Sequence, residues 1–300
     1  MPSYEFVTVN VFTDRRFGGN PLAVLPDAAG LSDAQMQVLA REFNYSETTF
    51  VLPPEDARHT AHVRIFTPAA EMPFAGHPNV GTGYVLASRA VSSPEHFTFE
   101  EGAGLVRVHI LRNTGGGPEG ARISAPQALS IGAAVSIETV AECASLAPGD
   151  ILTTAHDPLV ASVGTPFVIA ELASLAALAR ATPDLAAFRR AGQDAEDGRF
   201  NLHLYVRVDG DATRLRARMF APLVGVLEDP ATGSANATLA ALLTSLAPGE
   251  NVSLAYDIAQ GEEMGRPSRL LATASKTPEG PVLATIAGSC VDVMHGRVEV

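Results

Sequence analysis

The chain carries one passage twice. Arg64-Ile65-Phe66-Thr67-Pro68 returns as Arg218-Met219-Phe220-Ala221-Pro222, and after each copy come a turn and a stretch without charge. The two turns read Gly76-His77-Pro78-Asn79-Val80-Gly81-Thr82 and Glu228-Asp229-Pro230-Ala231-Thr232-Gly233-Ser234. Aligning Pro78 with Pro230 sets His77 opposite Asp229, and Gly81-Thr82 opposite Gly233-Ser234. Gly19-Asn20-Pro21-Leu22 similarly echoes Gly164-Thr165-Pro166-Phe167. A period of about half the chain is too long for a solenoid and implies two duplicated domains facing each other.

The helices predicted after the turns, Val80–Ser88 and Ala235–Leu246, carry no charge on any side. A helix that is apolar all round must be covered all round. Strands are expected at Phe6–Thr13, Leu22–Leu25, Glu47–Leu52, His62–Thr67, Leu105–Leu111 and Ala121–Ser124. In the second half they are expected at Leu202–Val208, Arg214–Met219, Leu270–Ser275, Val282–Ala287 and Cys290–Val293. Further helices are expected at Ser32–Phe43, Leu172–Ala181 and Asp184–Ala191, the first opened by the Ser32/Gln35 capping pair. The expected class is α+β: two similar domains, 1–126 and 127–300, each a curved, mostly antiparallel sheet or barrel around a central helix. A pseudo-two-fold would relate them, and the last strands are free to pack back on the first domain. Gly115 to Pro118 reads as a hairpin loop.

Composition narrows the chemistry. There are 33 acidic and 21 basic residues among 300, a formal net charge of −12, and Lys276 is the single lysine. An acidic chain without basic tracts does not suit nucleic acid or a membrane surface. No Gly-Lys pair exists for a P-loop, and Lys276 sits in a turn-like setting unsuited to a Schiff base. Cys143 and Cys290 stand far apart, which excludes a disulfide scaffold and a thiolate zinc cluster. His59 and His62 flank a strand at a spacing that separates their faces, so they are not expected to hold a metal. Gly102-Ala103-Gly104 precedes a strand instead of opening a helix and is no dinucleotide fingerprint. No targeting segment or membrane span is legible, and the expected compartment is the cytoplasm.

Chemistry is expected at the two helix starts. Free backbone N–H groups and the positive dipole end make Gly81-Thr82 and Gly233-Ser234 candidate anion sites, with His77 and Asp229 beside them. Each also has an ordinary reading: Asp229 as a helix cap, His77 as a turn residue. Glu47 opens a strand among mostly uncharged neighbours, where desolvation would lift its pKa towards that of a general acid/base, unless it lies on the solvent face.

These residues carry a family resemblance over essentially the whole chain. Gly19-Asn20-Pro21, Ser46-Glu47-Thr48, the Phe74-Ala75-Gly76-His77-Pro78 turn, Glu228 to Ala235, Gln260-Gly261 and Gly265-Arg266-Pro267-Ser268 resemble the phenazine-biosynthesis PhzF-like proteins of the diaminopimelate epimerase fold superfamily. The resemblance implies two similar domains with the active site in the cleft between them, and it suggests a homodimer. In the wider superfamily the facing turns carry a cysteine pair, whereas His77 and Asp229 stand at the matching positions here. A thiol racemase mechanism is therefore not expected. The resemblance gives Glu47 the role of proton shuttle. His77 and Asp229 would hold or protonate the substrate, and the Gly76, Gly233 and Ser234 backbones would cradle a carboxylate. The expected activity is a cofactor- and metal-independent isomerisation of a small carboxylate-bearing metabolite. The alternatives are an epimerase or racemase of an amino-acid-like substrate and a non-catalytic metabolite-binding homologue.

Overall fold

The computed structural model describes residues 2–91, 94–193 and 198–300. In chain order the first half holds β1 (Ser3–Val11), β2 (Asn20–Leu25), α1 (Asp33–Phe43), β3 (Glu47–Leu52), β4 (Ala61–Phe66), β5 (Glu71–Met72), α2 (Gly76–Arg89), β6 (His96–Glu101), β7 (Gly104–Arg112) and β8 (Pro118–Ser124). There follow β9 (Ser130–Ala134), α3 (Ile137–Ala144), β10 (Ile151–Leu152), β11 (Leu159–Ser162), β12 (Pro166–Leu172), α4 (Leu175–Arg180) and α5 (Leu185–Gln193). The last elements are β13 (Leu202–Arg207), β14 (Arg214–Ala221), β15 (Val226–Asp229), α6 (Gly233–Leu246), β16 (Val252–Gln260), β17 (Ser268–Lys276) and β18 (Leu283–Glu299). Contacts gather them into two units, Met1–Ser124 with Ala287–Val300, and Ala125–Ile286.

In the first unit strand pairing closes on itself. The order is β1-β2-β3-β4-β6-β7-β8-β18 and back to β1, with β2–β3 and β4–β6 parallel and the other registered pairs antiparallel. Parallel neighbours need a crossover, and the chain supplies α1 for the first and α2 for the second. The two crossovers differ in kind. α1 lays Met36, Leu39 and Ala40 over Leu25, Phe50 and Phe66, and its other faces are polar. α2 is buried along His77–Gly83 and again at Val85 and Ala87. It packs against β1, β2, β3, β7 and β8 and fills the barrel. A Cβ on Gly81 would stand 2.5 Å from Leu22 and 2.8 Å from Val11, so the helix axis lies too close to β1 and β2 for any larger residue there.

The second unit repeats the scheme. β12–β13 and β14–β16 are parallel, β13–β14, β16–β17 and β11–β12 are antiparallel, and β9 adds to β11. The crossovers are α4 with α5, and then α6, whose residues from Ala235 to Thr244 are all buried. Burying its Leu239 and Leu242 alone is worth about 1.5–3 kcal/mol each. α3, α4 and α5 cover β12, β13 and β14 through Val140, Leu178, Phe188, Leu202 and Phe220.

Several expectations move. The strands expected at Val282–Ala287 and Cys290–Val293 are one, β18. The helix predicted over Leu172–Ala181 is shortened: Leu172 ends a strand, Pro166–Leu172, that was not expected, and Ser174 then caps α4 by accepting from Ala177 N. Both central helices start earlier than predicted. Gly76 and Gly233 are their first residues and each helix is 14 residues long.

That start point shifts the repeat alignment by five residues. Ile65 pairs with Met72 and Met219 pairs with Asp229, so Met72 and Asp229 share a place, and Pro73, not Pro78, matches Pro230. His77 therefore corresponds to Ser234, and Asp229 has no acidic counterpart. Packing agrees with register. Arg64 Nε and Nη2 donate to both oxygens of Glu71 at 2.7 Å, and Arg218 Nε and Nη2 donate to both oxygens of Glu228 at 2.8 Å. Each guanidinium also lies over a phenylalanine ring, Phe66 or Phe220.

Candidate active site

Glu47, Gly76 and His77 belong to the first unit. Glu47 opens β3 opposite Leu22 of β2, in parallel register. His77 sits in the first turn of α2, buried, with Nε2 at 3.3 Å from Glu47 Oε2. Its imidazole also hydrogen-bonds the Pro21 carbonyl. Burial holds the ring's pKa down at about 3, with the Pro21 bond opposing it, so His77 is neutral at pH 7. A neutral ring has one N–H. Spent on Pro21, it leaves Nε2 as a lone pair facing the Glu47 carboxyl. Glu47 Oε2 and His77 Nε2 are both buried, and neither makes a well-formed hydrogen bond. Ser46 Oγ donates to Asn20 Oδ1, tying the strand start to β2.

The start of α2 is open. Its N-cap residue, Ala75, has no side chain to bond the first-turn amides, and no acidic residue occupies that turn.

Asp229, Gly233 and Ser234 belong to the second unit. Asp229 ends β15 buried, and its Oδ2 accepts from Thr232 Oγ1. It does not cap the helix: Thr232 is the N-cap, with no side-chain bond to the helix start and no acid in the first turn. The turn between them is held from outside. Gln260 Nε2 donates to the Asp229 carbonyl at 2.8 Å and to Thr232 Oγ1 at 3.1 Å, while its Oε1 accepts from Thr232 N and, at 2.7 Å, from Asn236 Nδ2. Ser268 Oγ donates to the Pro230 and Arg266 carbonyls. A Cβ on Gly261, at φ +78°, would stand 2.5 Å from both of those carbonyl oxygens. The Gln260-Gly261 and Arg266-Ser268 motifs thus fix the Asp229–Gly233 turn.

Thr232 and Gln260 stood in the quoted motifs without a role, and sequence reasoning missed Asn236 and the support the three give the turn. It also missed Asn201, which precedes Leu202 as Glu47 precedes Thr48 and puts a neutral amide at the corresponding place. Registering the repeats on Gly76 and Gly233 would have exposed them. Neither cysteine lies in these turns. Both are buried, and desolvation pushes the Cys143 thiol up to about 12 and the Cys290 thiol up as well. Among the described residues no helix is long and apolar enough to cross a membrane.

A model of phenazine biosynthesis-like proteins (PhzC-PhzF) matches residues 9–296. The chain is 38% identical to an uncharacterized isomerase of Mesorhizobium japonicum, covering 99% of each. It is 34% identical to the trans-2,3-dihydro-3-hydroxyanthranilate isomerase of Pseudomonas aeruginosa, over 98% of this chain and 99% of that one. The crystal structure of a PhzF-family phenazine biosynthesis protein of Bacillus anthracis superposes at a TM-score of 0.88 with 26% identity, covering 100% of both. Isomerases thus match this chain end to end, and the chain is itself an isomerase. With the family model spanning all but the extreme ends, the chain belongs to the PhzC-PhzF family of phenazine biosynthesis-like proteins.

Proposed function

We propose that this isomerase moves a proton within a small carboxylate-bearing metabolite by way of Glu47, without a metal or an organic cofactor. The observation that carries the reading is the 3.3 Å approach of Glu47 Oε2 to a neutral, carbonyl-anchored His77 beside an uncapped helix start. The carboxylate of Glu47 removes a proton from one carbon, becomes the acid, and returns the proton to a second carbon on the same face. His77 Nε2, with its tautomer fixed by Pro21, accepts the O–H of Glu47 once the proton has arrived and so holds the acid for its return. The Gly76, Gly233 and Ser234 amides bind the substrate carboxylate and the enolate charge that develops next to it. Asp229, held by Thr232, binds or protonates a polar substituent. The P. aeruginosa relative's name points to cyclic, unsaturated hydroxy- and amino-carboxylates as the first compounds to try.

Turnover in deuterium oxide tests this. Label arriving on a different carbon, with Glu47→Gln slowed about 10²–10⁴-fold, is the expected result. Label with inversion at a single carbon would make the enzyme an epimerase, and a Glu47→Gln variant within a few-fold of wild type would remove Glu47 from the chemistry.

A further inference from the structure

We infer that Glu101 is a positioning residue which holds the start of α2 as a neutral carboxylic acid, doing for the first unit what the Gln260 amide does for the second. The two residues occupy the same step. Ala61 pairs with Phe99 in β4–β6, Leu215 pairs with Ile258 in β14–β16, and Glu101 and Gln260 each follow two residues later. The next residues agree: a Cβ on Gly102 would meet Pro73, and one on Gly261 would meet Pro230. Facing them are Asn79 and Asn236, the fourth residues of α2 and α6. Asn79 Nδ2 donates to the Ala75 carbonyl at 3.0 Å, and Asn236 Nδ2 donates to the Thr232 carbonyl at 3.0 Å.

The difference lies in the acid. Both Glu101 oxygens are buried without a well-formed hydrogen bond, with the Asn79 amide as the polar group beside them. Asn79 Oδ1 is buried and lacks a donor. A carboxylate could not supply one, whereas a carboxylic O–H can. Among the described residues Glu101 makes no ion pair; β4, paired with β6, carries His62, opposite Glu100, and Arg64, which Asp33 and Glu71 hold. α2 offers His77, which is neutral, and Asn79. On β5, Glu71 is taken up by Arg64. β7 offers Gly104, which pairs with Glu101, and then Leu105 and Val106. Glu100, next along β6, accepts from Glu55 N, Asp56 N and His59 instead. Desolvation pushes Glu101 up to about 8, with the Asn79 amide opposing it. Its ionisation would place a bare charge under the first turn of α2, where His77 and Gly76 sit.

That this matters for turnover rests on the function proposed above; the protonation state does not. The test therefore uses unfolding equilibria and His77 ring NMR, neither of which needs a substrate. From pH 4.5 to 8 the unfolded chain ionises Glu101 and the native chain does not, so native stability falls as pH rises through that window. The unfolding constant of wild type should rise relative to Glu101→Gln by up to tenfold per pH unit there, then run parallel above pH 8. The His77 ring resonances should shift with a midpoint near pH 8 in wild type, and not in Glu101→Gln. A stability gap between the two proteins that is constant from pH 5 to 9 would overturn the neutral acid. His77 resonances that stay still near pH 8 in wild type, despite the expected stability trend, would overturn the positioning role. Failure to find any substrate would strike the proposed function and leave both of these readouts standing.

Discussion

Met72 occupies in the first unit the place that Asp229 occupies in the second, each ending a short strand opposite an apolar partner, Ile65 or Met219. A thioether at that step in one copy means that the scaffold does not need a carboxylate there. Asp229 is nonetheless buried, at 8% exposure, where a carboxylate costs desolvation energy that only its polar contacts offset. Asp229→Met should therefore fold, with a Tm at or above that of wild type, and lose turnover by about 10²-fold or more. Circular dichroism melts and steady-state rates on the same preparation check both halves.

Acid should loosen the protein through two histidines. Burial draws His77 down to about 3 and His203 down to about 4, from an ordinary 6.5. The unfolded chain takes up these protons first as pH falls below about 6.5, so the histidines' contribution to native stability declines from there towards pH 3–4. Replacing His203 with Asn removes one of the two protons. Urea midpoints at pH 7 and pH 5 should differ less in that variant than in wild type.

The duplicated arginines offer an internal comparison of burial. Arg218 is 6% exposed, and besides Glu228 it donates to the Leu178 and Ala181 carbonyls at the end of α4. Arg218→Met strands a buried carboxylate and those carbonyls, and should cost about 3–5 kcal/mol. Arg64 serves Glu71 and Asp33, both largely in water, and Arg64→Met should cost about 1 kcal/mol or less. Chemical denaturation of the two variants measures the contrast.

Gly261→Ala and Gly265→Ala separate conformation from space. Both glycines have positive φ, +78° and +69°, which costs an alanine roughly 1–2 kcal/mol. At Gly265 nothing lies within 4 Å of the added carbon, while at Gly261 it meets the Pro230 and Arg266 carbonyls. Only Gly261→Ala should also disturb the Asp229 turn, and so lower kcat beyond the loss of stability.

The two-fold duplication and the charge-free central helices were legible in the residues; Glu47 and His77 were each singled out, but only the fold sets them 3.3 Å apart. Charge exclusion and a repeated Arg-x-Phe are strong signals because both report on what must be buried. The register between copies was misread for a physical reason. Pro78 sits inside the first turn of α2, where a proline's missing N–H costs nothing, and Pro230 sits before its helix, so equal residues did not mean equal places. Glu101 was invisible for another reason. In Phe97 to Gly102 it adjoins Glu100 and reads as part of a solvated acidic edge. Only its register with Gln260 reveals the buried side. The strand Pro166–Leu172 was not expected, and the helix after it was started at Leu172, because a continuous apolar run has no period of its own.

The first barrel closes only where β18 pairs with β1, from Ser3–Glu299 to Val11–Cys290. During synthesis the barrel that begins at the N-terminus must therefore wait as an open sheet, with the edge of β1 bare, while everything to Ile286 is made. The residues of the second unit leave the ribosome before that final strand does. The half of the protein translated first is the half completed last, so stalling or truncation within Ala287–Val300 leaves an intact second unit beside an unsealed, aggregation-prone first one.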